Sequence, residues 1–166
     1  MNGFDNKYYI FLMAMANLVA VFQLVTSAKW PRIARFSFFL LFAWASLKNF
    51  TTSQLMPQVY MGYAEITWSE AYRQFIHGWF SSHVKWIVGL IAFCQMLIAI
   101  SLLLNNRLYR IGCMGAMTFL VAIIPLGIGS GFPATAVMTI ALFILLDKGK
   151  YKLWEPPGEH EVSRIR

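Results

Sequence analysis

Two polar side chains lie deep inside otherwise apolar stretches, and any chemistry would be sought there first. Lys48 interrupts the run from Phe36 to Met56, and Gln95 sits within Trp86 to Leu104. A lysine inside a bilayer costs roughly 2.5 to 3.5 kcal/mol on insertion scales, so an intramembrane cation is by default a candidate site. If the two runs are neighbouring antiparallel spans, Lys48 falls about 12 Å and Gln95 about 14 Å below the same membrane face, at 1.5 Å per residue. Matching depth would let them share a hydrogen bond and, with Asn49, line the head of a ligand pocket. The bland alternative is that Lys48 snorkels outward past Asn49 and Thr52.

The second place for chemistry is the long polar connection from 57 to 85, with Glu65, Glu70, Arg73, His77, His83 and Lys85 among many aromatics. Thr67 and Glu70 fit a capping box, in which the first side chain caps a helix start and the second reaches back. Ala71, Tyr72, Phe75, Ile76, Trp79 and Phe80 then recur on one side, with Glu70, Arg73, Gln74 and His77 on the other. That pattern predicts an interfacial helix over Thr67 to Phe80, lying across the outer mouth of a bundle. Glu70, Arg73 and His77 join the candidate ligand-binding residues; the alternative is a lid packed for stability alone.

Other constellations exclude more than they suggest. His77 and His83 are six apart with Gly78 between them, so they do not share a helical face as i, i+4 metal ligands would. A haem held between helices usually needs a histidine on each of two spans, and no membrane-proximal histidine exists besides these two. Cys94 and Cys113 lack C-x-x-C spacing and read as buried small hydrophobes. Gly127, Gly129 and Gly131 lack the lysine and the strand-turn-helix setting of a nucleotide loop. Asn49-Phe50-Thr51 is a sequon too close to the membrane to be used. With no Ser/His/Asp set and no carboxylate pair, the residues by themselves specify no enzyme, no catalytic residue and no metal site.

The elements that must position these residues follow from composition. Of 166 residues, 58% are hydrophobic and 13% charged, and the mean hydropathy is +0.57. Soluble domains carry about a quarter charged residues, which all but excludes a water-soluble fold. The net charge of +7 is not gathered into a nucleic-acid-reading surface. Tyr8 to Ala28, Phe36 to Met56 and Trp86 to Leu104 each match the roughly 20 residues that cross a bilayer. Ile111 to Leu146 is uncharged throughout, and as one helix would reach roughly 54 Å against a hydrocarbon core of about 30 Å. PLGIGSGFP, Pro125 to Pro133, breaks it on both donor and entropy grounds, giving spans at Ile111 to about Leu126 and about Pro133 to Leu146, crossing or re-entrant.

Basic residues in 29–35, in NNRLYR and in DKGKYK then mark the cytoplasmic side. The expectation is an all-α membrane protein of about five spans, N-terminus outside and C-terminus cytoplasmic. Residues 1–146 form the bundle, with 57–85 as the outer loop, and 147–166 a polar tail. No cleavage site for a signal peptide follows the first apolar segment. Ala16/Ala20, Gly112/Ala116 and Gly127/Gly131 permit close helix approach.

RIARFSFFLLFAWASLKNF, VKWIVGLIAFCQMLIAISLLLNNRLYRIG and IGCMGAMTFLVAIIPLGIGSGFPAT, in that order, resemble the spans of the DoxX-like superfamily of small bacterial inner-membrane proteins, across roughly Arg32 to Leu146. The resemblance implies a four-helix core, to which Tyr8 to Ala28 adds a span. It also implies a non-catalytic subunit anchoring or supporting a redox-associated membrane complex, with a protein partner or a second copy. Two positions depart from the pattern: Gln95 stands where the family often has glutamate, and Ser46-Leu47 where a glycine usually precedes the lysine. The second reading is a binder of a lipophilic molecule such as a quinone or lipid, under the outer helix. A transporter or channel component ranks third, since several intramembrane charges or an inverted repeat would be expected.

Overall fold

A computed structural model of the chain describes residues 7–148, with side chains from residue 11. Its long helices are α1 (Lys7–Lys29) and α2 (Pro31–Leu55), then α5 (Ser81–Leu103), α6 (Asn106–Ile123) and α7 (Ala134–Lys148). Between α2 and α5 come a 3₁₀ turn (Pro57–Gly62), α3 (Tyr63–Ile66), α4 (Glu70–Phe75) and a π-helical stretch (Ile76–Phe80). A second 3₁₀ segment, Ile124–Ser130, joins α6 to α7. Among the described residues there is no strand. The polar tail lies, beyond Lys148, outside the described residues.

Three segments are long and apolar enough to cross a membrane: Phe11–Lys29, Glu70–Leu103 and Asn106–Ser130. The exterior agrees, since Leu18, Trp44, Leu90, Phe93 and Phe143 are each at least 60% exposed, a surface suited to lipid and costly in water. Helix α2 has the length but carries Arg32, Arg35 and Lys48. Helix α7 is described over 15 residues, as far as the last described residue, Lys148.

The long helices form a ring in which α2 packs most extensively on α5, α5 on α6, α6 on α7, α7 on α1, and α1 back on α2. Helices α1 and α7 run the same way, because the Lys148 ammonium donates to the Ala28 carbonyl at 3.0 Å. The start of α7 is then level with the middle of α1, where a Cβ on Gly131 would lie 3.4 Å from Ala16. Bare backbone also brings α6 onto α5: a Cβ on Gly112 would meet the Ser101 Cβ at 2.7 Å. Gly127 and Gly131, by contrast, are not a helical pair; both have positive φ and turn the α6–α7 connection.

At the basic end Arg35 of α2 is buried against α5 and α6. Read from the sequence it is topology charge in a loop, but Pro31 at the first helical position starts α2 early and draws Arg35 inside. Its Nε donates to the Leu102 carbonyl at 3.0 Å and an Nη donates to the Leu104 carbonyl. These are carbonyls that the end of α5 leaves unpaired, and a cation there also meets the negative end of the helix dipole. The guanidinium lies 4.2 Å from the centre of the Tyr109 ring, whose hydroxyl donates to the Leu145 carbonyl of α7. Of the two cysteines, Cys113 is buried but Cys94 faces outward; the apolar exterior accepts a small hydrophobe as readily as the core does.

Candidate functional site

The face of α2 that meets α5 runs Phe38, Phe42, Ser46, Asn49, Ser53, at steps of three and four residues, and opposite it stand Val88, Ala92, Gln95 and Ala99. The Ser46 hydroxyl donates to the Ala92 carbonyl at 2.6 Å. One turn further, the Asn49 amide nitrogen donates to Gln95 Oε1 at 2.9 Å. The Tyr60 hydroxyl, from the 3₁₀ turn, lies 3.1 Å from both Asn49 Oδ1 and the Asn49 carbonyl. The chain has a direction: Tyr60 donates to Asn49, which donates to Gln95, leaving the Gln95 amide N–H groups to point onward.

The expected Lys48 to Gln95 contact is therefore replaced by Asn49 to Gln95. The depth arithmetic placed the right turn of helix, but one residue along α2 is about 100° around it. Lys48 shares the exposed side with Trp44 and Leu47. Replacing Lys48 with methionine should not lower stability, because the side chain is exposed on an otherwise apolar face where an apolar group is the less costly one, and should leave any bound molecule in place. Detergent melting curves and ligand recovery from K48M check both.

The segment between α2 and α5 folds into a lid rather than one interfacial helix. Ser69, not Thr67, caps α4, accepting from the Tyr72 amide at 3.4 Å. Thr67 is used elsewhere: its hydroxyl donates to the Pro125 carbonyl at 2.7 Å, and the Trp68 amide donates to the same oxygen at 3.1 Å. The helix is then interrupted at Gly78, whose ψ of −121° is non-helical. Ile76 and Phe80 turn inward, while Phe75 and Trp79 are exposed. Glycines receive the lid: a Cβ on Gly127 would lie 2.8 Å from the Trp68 ring, and one on Gly129 2.6 Å from the Tyr63 ring. The Tyr72 hydroxyl adds a bond to the Ala122 carbonyl at 2.6 Å.

Beneath the lid is a cavity of about 390 Å³, bounded by Tyr60, Tyr63, Tyr72 and Phe80 above and by Val88, Ile91 and Phe119 below. A second of about 310 Å³ lies between all five long helices, with Phe42, Gln95, Thr135 and Met138 on its wall. They share Asn49, Phe119, Ile123, Gly129 and Ser130, so the polar chain stands at the junction. No Asp, Glu, Lys, Arg or His lines either one.

Of the residues singled out from sequence, Asn49 and Gln95 are thus brought to the cavities. Lys48, Glu70, Arg73 and His77 line neither. Glu70 and Arg73 pair with each other on the exposed side of the lid, where such pairs contribute little. His77 Nε2 stands 3.9 Å from the Glu65 carboxylate, also exposed. Arg73 does tie α4 to α3, donating from Nε to the Ala64 carbonyl at 3.1 Å.

Tyr60 and Thr135 were not legible as site residues, since nothing in sequence joins them to α2. Burial, reinforced by neighbouring Tyr63, pushes the Tyr60 phenol up to about 12. A raised folded value means that the folded state holds this proton longer. The contribution is complete below pH of about 10, the unfolded value, and is lost as pH rises toward 12. Ultraviolet titration should show this phenolate forming with lid opening, and Tyr60→Phe should remove that alkaline transition.

No family model, curated protein or solved structure matches the chain. What the site does must come from its own geometry.

Proposed function

We propose that this is a multi-pass membrane protein that binds a lipophilic small molecule in the cavity beneath the lid. The observation that carries this reading is the cavity itself. It is roomy and almost wholly apolar, with Asn49 as a polar anchor at its junction with the second cavity and no ionised group on its wall. Ligand sites have this composition, apolar walls with a few placed polar groups. A quinone or a neutral lipid matches the chemistry. The absence of acid, base and metal-ligand side chains from the two walls favours binding over catalysis.

In this reading all five long helices cross the bilayer. The basic residues of 29–35, 107–110 and 148–152 face the cytoplasm and the lid faces outward, in the inner membrane of a bacterium. Cysteine labelling of the tail from one side only tests the orientation. The resemblance to the DoxX-like superfamily adds a setting: a bound redox lipid beside a partner oxidoreductase would unite the binder and accessory-subunit readings.

The decisive experiment is purification in mild detergent followed by solvent extraction and mass spectrometry. A stoichiometric lipophile in the wild type, depleted when Ile123→Trp fills the cavity, is the expected result. Protein that carries none, and takes up none from a decyl-substituted benzoquinone, would overturn the reading.

A further inference from the structure

The second cavity carries an observation that binding of a lipophile does not use. Thr135, only 4% exposed, lines that cavity, yet its hydroxyl is buried without a hydrogen-bond partner. Threonine hydroxyls in helices ordinarily give their proton to a carbonyl one turn back, as Thr139 does to the Thr135 carbonyl at 2.8 Å. Thr135 sits in the first turn of α7, where the preceding turn is the irregular Gly131 to Pro133 bend. A buried hydroxyl without a partner costs about 1–3 kcal/mol.

Gln95, also buried, lines the same cavity. Its oxygen is occupied by Asn49, and the direction of the Tyr60, Asn49, Gln95 chain presents its amide N–H groups as donors. Two residues of the lining thus carry proton donors with no acceptor among the hydrogen bonds of the described residues, while the rest of the lining is aliphatic, aromatic or already bonded; Ser130, for one, gives its proton to the Gly127 carbonyl at 2.8 Å. No cation is present to balance an anion, and burying an unpaired carboxylate there would be far costlier than burying a neutral oxygen.

We infer that this second cavity is a recognition chamber for an uncharged carbonyl group on a hydrocarbon chain, held between the Thr135 hydroxyl and the Gln95 amide. The inference rests on the lipophile-binding reading and names the head that such a molecule presents. It selects ketones, quinones and esters over alkanes of equal length, and over fatty-acid carboxylates. The carbonyl can belong to a free small molecule or to an acyl ester of the membrane; a ketone and an ester probe tell these apart.

Calorimetric titration of the detergent-purified full chain with dodecane, dodecan-2-one, methyl undecanoate and dodecanoate, at a pH of about 8, tests it. At that pH the acid is ionised. At least one neutral carbonyl probe should bind about tenfold tighter than dodecane, and dodecanoate no tighter than dodecane. A preference for the ketone assigns a free molecule, and a preference for the ester a membrane acyl group. Thr135→Val, which keeps the shape and removes the hydroxyl, should reduce that preference severalfold while leaving dodecane affinity unchanged. Gln95→Leu should do the same, with Thr135→Val as the arbiter if it fails to fold. Equal binding of dodecane and both carbonyl probes, tighter binding of dodecanoate, or a preference intact in T135V would each overturn the chamber and leave the lipophile reading standing. Binding of no probe at all would overturn both.

Discussion

Arg35→Met is expected to be the most destabilising single substitution in the bundle, at about 3–5 kcal/mol. The residue is 1% exposed, and its removal leaves the Leu102 and Leu104 carbonyls without their donor. Each buried acceptor so abandoned costs about 1–3 kcal/mol, and the lost contact with the Tyr109 face about 0.5–2 kcal/mol more. Methionine fills similar space without replacing either bond. Arg35→Lys should recover only part of the loss, because a point ammonium cannot fork between two carbonyls as a planar guanidinium does. Thermal unfolding in detergent, followed by tryptophan fluorescence, reads both. An unchanged melting transition in R35M would mean that Arg35 only marks topology.

Gly127→Val should be the most damaging change for binding. Gly127 has φ +62° and ψ −127°, a region almost closed to side chains, where occupancy costs about 1–3 kcal/mol. A Cβ there would also meet the Trp68 ring at 2.8 Å, so relief of the clash requires the lid to lift. Retention of the extracted lipophile should fall by more than about tenfold, each factor of ten being 1.4 kcal/mol. Limited proteolysis should begin to cut within residues 57–80. Gly89→Ala is the matched control, since a Cβ there meets nothing within 4 Å. Normal retention in G127V, with the lid protected, would refute the docking role of the glycine loop.

Sequence period and length were enough to place the helices, because the requirement behind them is one-dimensional. The expected Tyr8 to Ala28 is observed as Lys7–Lys29, and the break at PLGIGSGFP separates α6 from α7 as the prolines and glycines demand. The misreadings concern direction around a helix and competition between partners. Lys48 has the right height and the wrong azimuth, while Ser46, Asn49 and Ser53 trace the polar stripe that, read at steps of three and four, points to Asn49. Thr67 has the spacing of a cap, but the Pro125 carbonyl, a distant acceptor, claims its hydroxyl and Ser69 takes the role. Arg35 is one of several basic residues in a short segment; only the end of α5 arriving from 67 positions away makes it different. Thr135 is a site residue because of what it fails to bond, and a missing partner has no signature in sequence.

The irregular connection between α6 and α7 has a consequence for any movement of the lid. Between Pro125 and Pro133 the chain leaves the regular α-helical ladder, and backbone polar groups freed in this way are costly wherever neither protein nor water pairs them. The lid is their insulation: Trp68 and Tyr63 lie on the glycines, and two donors sit on the Pro125 carbonyl. Lifting it bares that backbone at the same moment, and water must follow to solvate it. Lid movement and wetting of this loop are thereby one event, at the end of the bundle opposite the one that Arg35 fastens.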